Sequence, residues 1–106
     1  MVIYSLSAIN DLTTILFGLR NWTNHLISDE HALNYVDDIS DVCDKLDRKT
    51  FHFNTRYTIH KRYGEKVHTY RRSKQTIWYI IYNLDQHGNV YIQKILSNYS
   101  TIAGTT

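Results

Sequence analysis

The residues with the clearest chemical potential lie between His68 and Lys74, directly before an apolar stretch. Arg71, Arg72 and Lys74 supply cations, Tyr70 supplies a ring, and His68 is a group that titrates near neutral pH. An arginine guanidinium binds phosphate through two parallel hydrogen bonds and keeps its charge. Cations set beside aromatic rings are typical of surfaces that bind polyanions, and RNA is the first candidate.

The stretch that follows must hold these groups in place. Every residue from Ile77 to Tyr82 is apolar or aromatic, so a strand here is apolar on both faces, because successive side chains alternate. Such a strand belongs in the middle of a sheet that is covered on both sides. As neighbours on the preceding strand, Arg71 and Arg72 are expected to face opposite sides, and only one of them easily serves a given site. His68 shares a face with Arg72.

Charge is divided unevenly along the chain. Residues 47–75 hold nine lysines and arginines and two acids, a local charge of +7, whereas the remainder holds three bases and eight acids, a charge of −5. Histidines and aromatic residues are interleaved with these cations: His52, His60, His68, Phe51, Phe53, Tyr57, Tyr63 and Tyr70. This interleaving favours stacking on bases, and the alternative is a solvated basic loop.

Length and composition indicate one domain, 1–106, with a single modest core. Cys43 is the one cysteine and lies on an apolar helical stripe, which predicts a buried, inert thiol. No Cys/His spacing resembles a zinc site, and we expect neither a metal nor a small-molecule cofactor. Every apolar run is far shorter than the roughly 20 residues of a membrane span, and the N-terminus lacks the pattern of a signal peptide. The sequence therefore predicts a soluble, cytoplasmic protein with no membrane partner.

Hydrophobic periodicity predicts two helices after a first strand. Residues 2–7 alternate as a short strand, and Ser7 is the expected cap of the first helix. That helix has an apolar face made of Ile9, Leu12, Ile15, Leu16, Leu19 and Trp22. After a break near 24–27, Ser28 caps a second helix with the stripe Ala32, Tyr35, Val36, Ile39, Val42, Cys43 and Leu46. The short break predicts an antiparallel helical hairpin.

The C-terminal half predicts a three-stranded meander. Residues 50–63 carry no clear period, whereas 66–73, 76–84 and 90–97 are typical of strands, with a glycine-containing hairpin loop at 85–89. Two amphipathic helices need one apolar surface to cover, and an antiparallel sheet offers it. The predicted fold is a two-layer α+β domain of order β-α-α-β-β-β, with the helical hairpin on an antiparallel sheet.

Several degenerate motifs follow one another along nearly the whole chain. They are the strand Val2–Ser7, the pair Asp11-Leu12 early in the first helix, Leu46 at the end of the second helix, Tyr70-Arg71-Arg72, Ile80-Ile81-Tyr82 and the closing stretch Val90–Leu96. In this order and spacing they resemble the RelE/ParE superfamily of type II toxin–antitoxin toxins. The resemblance implies a small growth-inhibiting toxin that is neutralised by a cognate antitoxin encoded beside it.

The same resemblance leaves two targets open. RelE-like members cut mRNA in the ribosomal decoding site, and ParE-like members poison DNA gyrase. Arg71 and Arg72 match the basic position before the central strand. The arginine that many RelE-type nucleases carry inside that strand falls on Tyr79, and the histidine after the closing strand falls on Ser97, beside Asn98 and Tyr99. The expected partners are the antitoxin together with the ribosome and mRNA, or alternatively with DNA gyrase.

The candidate residues follow from the chemical steps that ribosome-dependent cleavage requires. The 2′-OH attacks the adjacent phosphate, a base takes its proton, cations stabilise the oxyanion and an acid protonates the leaving oxygen. The candidate catalytic residues are His68, Arg71, Arg72 and Tyr99, and the candidate RNA-binding residues are Lys61, Arg62, Lys66, Tyr70 and Lys74. The antitoxin is expected to present an acidic, amphipathic helix or strand. A non-toxic nucleic-acid-binding module, or a decayed toxin, is the remaining alternative.

Overall fold

The structure, a computed structural model, describes residues 1–21 and 28–98, apart from the side chains at positions 20 and 21. Its elements in chain order are β1 (Val2–Tyr4), α1 (Leu6–Asn21), α2 (Asp29–Asp44), a 3-10 turn (Leu46–Arg48), β2 (Phe53–Asn54), α3 (Thr58–Lys61), β3 (Lys66–Arg71), β4 (Ile77–Leu84) and β5 (Val90–Ser97). The predicted α+β order is confirmed. Two short elements that were not predicted, β2 and α3, lie within residues 50–63, the stretch without a clear hydrophobic period.

The five strands form one sheet in the order β1-β5-β4-β3-β2, which places β4 in the middle. β3, β4 and β5 are the predicted antiparallel meander, and β2 adds two residues to the outer edge of β3. At the other edge, β1 runs parallel to β5, with Val2 opposite Val90. The sheet is therefore mixed rather than purely antiparallel, because β1, which precedes the helical hairpin in the chain, pairs in parallel with β5.

The two long helices cover one face of the sheet. Ile39 and Cys43 of α2 are fully buried in one cluster with Ile80 and Tyr82 of β4. The predicted burial of Cys43 is confirmed, and burial raises the pKa of its thiol to about 12. The Trp78 indole N–H donates to the Tyr35 hydroxyl at 3.0 Å and ties β4 to α2. The helical side of the sheet is a continuous apolar core.

Side-chain contacts fix the direction of the helices. The hydroxyl of Tyr4, just before α1, donates to Asp44 at the end of α2 at 2.6 Å. The start of α1 therefore lies beside the end of α2, as an antiparallel hairpin requires. The predicted break at 24–27 and Trp22 lie outside the described residues. No helix in the described part of the chain has both the length and the apolar character needed to cross a bilayer.

The ends of the helices follow the capping rules with one correction. Ser28 caps α2 as predicted, because its hydroxyl accepts from the N–H of His31 at 3.1 Å. In α1 the cap is Ser5 and not Ser7: the Ser5 hydroxyl accepts from the N–H of Ala8 at 3.0 Å. The N–H of Ser5 donates to the carbonyl of Ile92. Ser5 therefore still belongs to the sheet ladder, and the strand ends earlier than the alternation predicts.

The meander matches its prediction closely. β5 has the predicted bounds, whereas β3 ends at Arg71 because the N–H of Arg72 donates to the carbonyl of Thr76 in a turn. Gly88 has φ 82° in the β4–β5 loop, a conformation that favours glycine. β4 has fully buried side chains on both faces, such as Ile80 and Ile81, as predicted for a central strand.

Candidate functional site

A groove of about 400 Å³ lies on the face of the sheet that the long helices leave open. Its floor comes from β3 and β4 and its wall from residues 53–60. We call it the arginine groove, and its lining residues are Phe53, Asn54, Arg56, Tyr57, His60, Val67, Thr69, Arg71, Ile77 and Tyr79.

Strand alternation builds the floor of the groove. Arg71 pairs with Ile77 and Thr69 pairs with Tyr79, so these four side chains share one face of the sheet. Their neighbours in sequence, such as Trp78, point into the helical core instead. Arg71 is exposed, and its guanidinium donates to the carbonyl of Lys74 in a long contact of 3.5 Å. Its charge is thus available at one end of the groove.

The segment 55–64, which carries the wall residues Arg56, Tyr57 and His60, lies directly on the sheet. The hydroxyl of Thr55 donates to the carbonyl of Gly64 at 3.1 Å and closes the segment on itself. A Cβ on Gly64 would stand 3.0 Å from Ile81 Cγ2 and 3.1 Å from the carbonyl oxygen of Tyr82. Glycine at position 64 therefore allows this close approach. Individual contacts, rather than a long regular element, hold the wall on the sheet.

Within the wall, His60 of α3 packs on the ring of Tyr79 with 4.7 Å between ring centroids. His60 is only 1% exposed, and burial lowers the pKa of its imidazole. Burial therefore favours the neutral form of this histidine, and the ring of His60 anchors the wall on Tyr79.

Cations and exposed rings surround the open side of the groove. Arg56 is exposed on the wall, as is Arg71 at the end of β3. Tyr57 and Phe53 are 57% and 58% exposed, far more than rings of a folded core. Phe51 lies next to Phe53, with 4.8 Å between ring centroids, and extends the aromatic surface beyond the groove. Two guanidinium groups and several open rings are thus gathered on one surface.

The predicted catalytic residues are divided between the two faces of the sheet. Arg71 lines the groove, whereas Arg72 turns to the helical side, as strand alternation predicts. The guanidinium of Arg72 donates to Asp38 of α2 and lies 4.1 Å above the centroid of the Tyr35 ring. Burial lowers the pKa of Arg72, but its hydrogen bonds to Asp38 and Tyr70 outweigh this and raise it. Arg72 therefore joins β3 to α2.

His68 also lies on the helical side of β3, opposite Ile80. Its Nδ1 accepts from the ammonium of Lys49 at 3.0 Å. Burial, together with the nearby Lys49 charge, lowers the pKa of His68. The neutral form of His68 is thus favoured, and the residue lies on the opposite face from Arg71. Tyr99, the fourth candidate, lies outside the described residues.

None of the five predicted RNA-binding residues lines the arginine groove. Lys61, Arg62 and Lys74 are exposed. Lys66 donates to the side-chain oxygen of Asn54, a groove residue. Tyr70 is half-buried on the helical side, and its hydroxyl accepts from Arg72 at 3.3 Å.

The end of β5 has a structural role. The side-chain oxygen of Asn98 accepts from the N–H of Ile77 at 3.2 Å, and its nitrogen donates to the carbonyl of Gln75 at 3.0 Å. Ser97 is buried. Asn98, the residue after the position that the family resemblance aligns with a histidine, therefore fastens the end of β5 to the start of β4.

Three groove residues that offer a cation or an open ring, Phe53, Arg56 and Tyr57, were not among the candidate site residues from the sequence. All three belong to the basic and aromatic stretch 47–75, so composition marked their region, but no period indicated where their side chains point. The signal was the interleaving of rings with cations, and the missing information was the fold of residues 53–64.

No protein-family model, no curated protein and no solved structure matches this chain. The site must therefore be interpreted from its own geometry. Guanidinium groups bind phosphate oxygens, and open rings stack on bases. The arginine groove has the parts of a binding surface for a nucleic-acid strand whose bases are unpaired.

Proposed function

We propose that this protein binds RNA in the arginine groove and acts as the toxin of a type II toxin–antitoxin module, cleaving mRNA on the ribosome. The observation that carries the proposal is the gathering of Arg56, Arg71 and exposed rings on the open face of the sheet. The β-α-α-β-β-β order supports it, because the resemblance to RelE/ParE toxins implies that order. The site of action would be the cytoplasm, where translated mRNA lies.

In this proposal the groove residues divide into two roles. Arg71 and Arg56 hold the phosphates, and Arg71 also stabilises the negative charge that develops when the 2′-OH attacks. Tyr57 and Phe53 stack on the bases beside those phosphates. Of the predicted catalytic residues in the described structure, Arg71 is the one that lines the groove.

Expression of the chain alone tests this role. We expect growth arrest and new 5′ ends in translated mRNA by primer extension. The double variant R56Q/R71Q should lose both effects, because both groove cations are removed. The matched variant K61Q/K74Q removes two exposed cations outside the groove and should keep them. Arrest with unchanged transcripts would reject cleavage, and equal loss in both variants would reject the groove as the site.

A specific observation favours gyrase inhibition without cleavage as a second candidate. The three histidines of the basic region are engaged or buried: His68 accepts from Lys49, His52 contacts the Tyr82 hydroxyl at 2.6 Å, and His60 is buried. A toxin that only binds its target needs no titrating base. Purified protein that blocks supercoiling by DNA gyrase, without changing transcripts, would establish this candidate. Normal growth with retained RNA binding would instead indicate a non-toxic module or a decayed toxin.

The proposed antitoxin has a suitable strand to pair with. β2 covers only Lys66 and Val67 of β3, so residues 68–71 have one strand neighbour, β4, in the described structure. An extended peptide adds to such an edge through main-chain hydrogen bonds, and acidic side chains would suit Arg71 and Lys74. We expect the product of an adjacent reading frame to bind the chain and protect these amides from hydrogen exchange. Binding without such protection would reject this mode.

A further inference from the structure

A second group of basic side chains lies at the β2 edge of the sheet, on the face opposite the arginine groove. Lys66 pairs with Asn54 of β2 and with Tyr82 of β4, and His68 pairs with Ile80. Tyr82 and Ile80 belong to the helical core, and side chains at 66 and 68 share that face because strand positions alternate. We call this group the lysine–histidine cluster, and its members are Lys49, His52, Lys66, His68 and Tyr82.

Direct contacts bring Lys49 and His52 to this face. The Lys49 ammonium donates to Nδ1 of His68 at 3.0 Å, and Nδ1 of His52 lies 2.6 Å from the Tyr82 hydroxyl. Burial lowers the pKa of His52, and the charges of Lys49 and Lys66 lower it further, while a hydrogen bond to the Lys49 backbone opposes this. The ammonium groups of Lys49 and Lys66 are therefore both near one imidazole.

The two ammonium groups contact uncharged partners in the described part of the chain. That of Lys49 contacts His68 and lies 5.8 Å from the centroid of the Phe53 ring. That of Lys66 donates to the side-chain oxygen of Asn54 at 2.5 Å. Both lysines are half-buried, and a charge that has lost part of its water is normally paired with an opposite charge. Two positive charges at this edge thus have no carboxylate beside them within the described residues.

The hydrogen-bonding groups of the cluster are mainly donors. An ammonium group can only donate, so Nδ1 of His68 accepts, and the proton of its neutral imidazole is on Nε2. Each ammonium can make three hydrogen bonds, and the described structure gives one to Lys49 and one to Lys66. A ligand with several acceptor oxygens and a negative charge would satisfy the remaining donors. A metal ion would instead be repelled by the two lysines.

We propose that the lysine–histidine cluster binds a phosphate group, whose oxygens accept from the ammonium groups of Lys49 and Lys66. A phosphate monoester carries up to two negative charges and three strong acceptor oxygens, which match two lysines better than the single charge of a carboxylate does. A free nucleotide and the 5′ end of an RNA strand present this same group. The site is separate from the arginine groove, and the inference does not rest on the proposed function.

Imidazole signals in NMR spectra of the full chain report the binding of inorganic phosphate. Titration to about 10 mM phosphate, at an ionic strength held constant with sodium chloride, should shift the signals of His52 and His68 until they saturate. The signals of His31 and His87, which are exposed elsewhere on the molecule, should stay in place. The absence of a saturable shift at His52 and His68, or an equal shift of all four signals, overturns the proposal.

A pair of double variants tests the two lysines. K49Q/K66Q removes both ammonium groups and should weaken phosphate binding about tenfold or more, because charge-assisted hydrogen bonds are lost. The matched variant K61Q/K74Q removes two exposed lysines outside the cluster and should bind as wild type. Equal weakening by the two variants contradicts the assignment. The wild-type titration decides the question even if K49Q/K66Q does not fold.

Two further ligands distinguish the sources of the phosphate group. Adenosine 5′-monophosphate represents a free nucleotide, and a short 5′-phosphorylated RNA represents a strand end. Each is compared with its dephosphorylated form, which should not shift the signals of His52 and His68. The ligand that binds more tightly identifies the source, whereas shifts that persist after dephosphorylation overturn the assignment to phosphate.

Discussion

Arg71 and Arg72 show that the surroundings of an arginine side chain decide its role. The two side chains differ by one position and lie on opposite faces of the sheet, one in the arginine groove and one against α2. Strand alternation predicted this division from the sequence. It did not predict which face is open, because that depends on where the helices and residues 53–64 lie. The candidate set from the sequence therefore mixed a binding residue with structural ones.

The substitution R72Q is expected to destabilise the fold. It removes the Asp38 ion pair and the stacking on Tyr35 from a side chain that is 24% exposed. We expect the free energy of unfolding to fall by about 1 kcal/mol in urea denaturation. R71Q, at an exposed position, should stay within about 0.5 kcal/mol of wild type. Equal destabilisation by the two variants would show that Arg72 does not join β3 to α2.

His60 should make the fold less stable in acid. Burial lowers its folded pKa below the ordinary 6.5, so as pH falls through 6.5 the unfolded chain takes up a proton first. Stability is therefore kept above about pH 6.5 and lost below it. Melting curves from about pH 8 to about pH 5 measure this loss. His52 and His68 add to it, because burial lowers the pKa of each.

Two variants isolate the contribution of His60. H60F keeps an aromatic ring beside Tyr57 and Tyr79 but cannot titrate, so its melting temperature should fall less steeply with acid than that of wild type. H87N changes an exposed histidine in the β4–β5 loop and should keep the wild-type slope. A wild-type slope in H60F would assign the acid sensitivity to other groups.

At the scale of elements, periodic segments were predictable and aperiodic ones were not. The bounds of β5 were predicted to the residue, and the apolar stripe of α2 packs in the core as predicted. Both predictions succeeded because the buried residues of one face repeat at a fixed spacing. β2 and α3 have two and four residues, too short for a period. They are held by single contacts such as Thr55 to Gly64. Since these elements form the wall of the groove, the geometry of the site could not be predicted from the sequence.

Gly64 and Gly18 offer a paired test of how the wall lies on the sheet. In G64A the new methyl meets the carbonyl of Tyr82 at 3.1 Å, so we expect a loss of about 1–3 kcal/mol in the free energy of unfolding. In G18A nothing stands within 4 Å, and better helix propensity should add about 0.5–1 kcal/mol. Urea denaturation measures both. A neutral G64A would mean that residues 55–64 do not lie tightly on β4.

At the scale of the whole molecule, the two layers carry opposite charge. Exposed acids such as Asp37, Asp41 and Asp44 lie on α2, whereas Arg56 and Arg71 lie on the open face of the sheet. The division into a +7 stretch and a −5 remainder is visible in the sequence, and the fold places Arg56 and Arg71 of the +7 stretch on the face opposite the acids of α2. A polyanion is thereby attracted to the groove side and repelled from the helical side.

Titration of short single-stranded RNA against wild type, R71Q and R72Q tests the central claim most directly. We expect R71Q to weaken binding about tenfold or more, with a salt slope lower by about 0.7, because one phosphate contact is lost. R72Q should bind as wild type at a temperature where it remains folded. Weakening by R72Q alone, or no RNA binding by the wild-type chain, would contradict the assignment of the arginine groove.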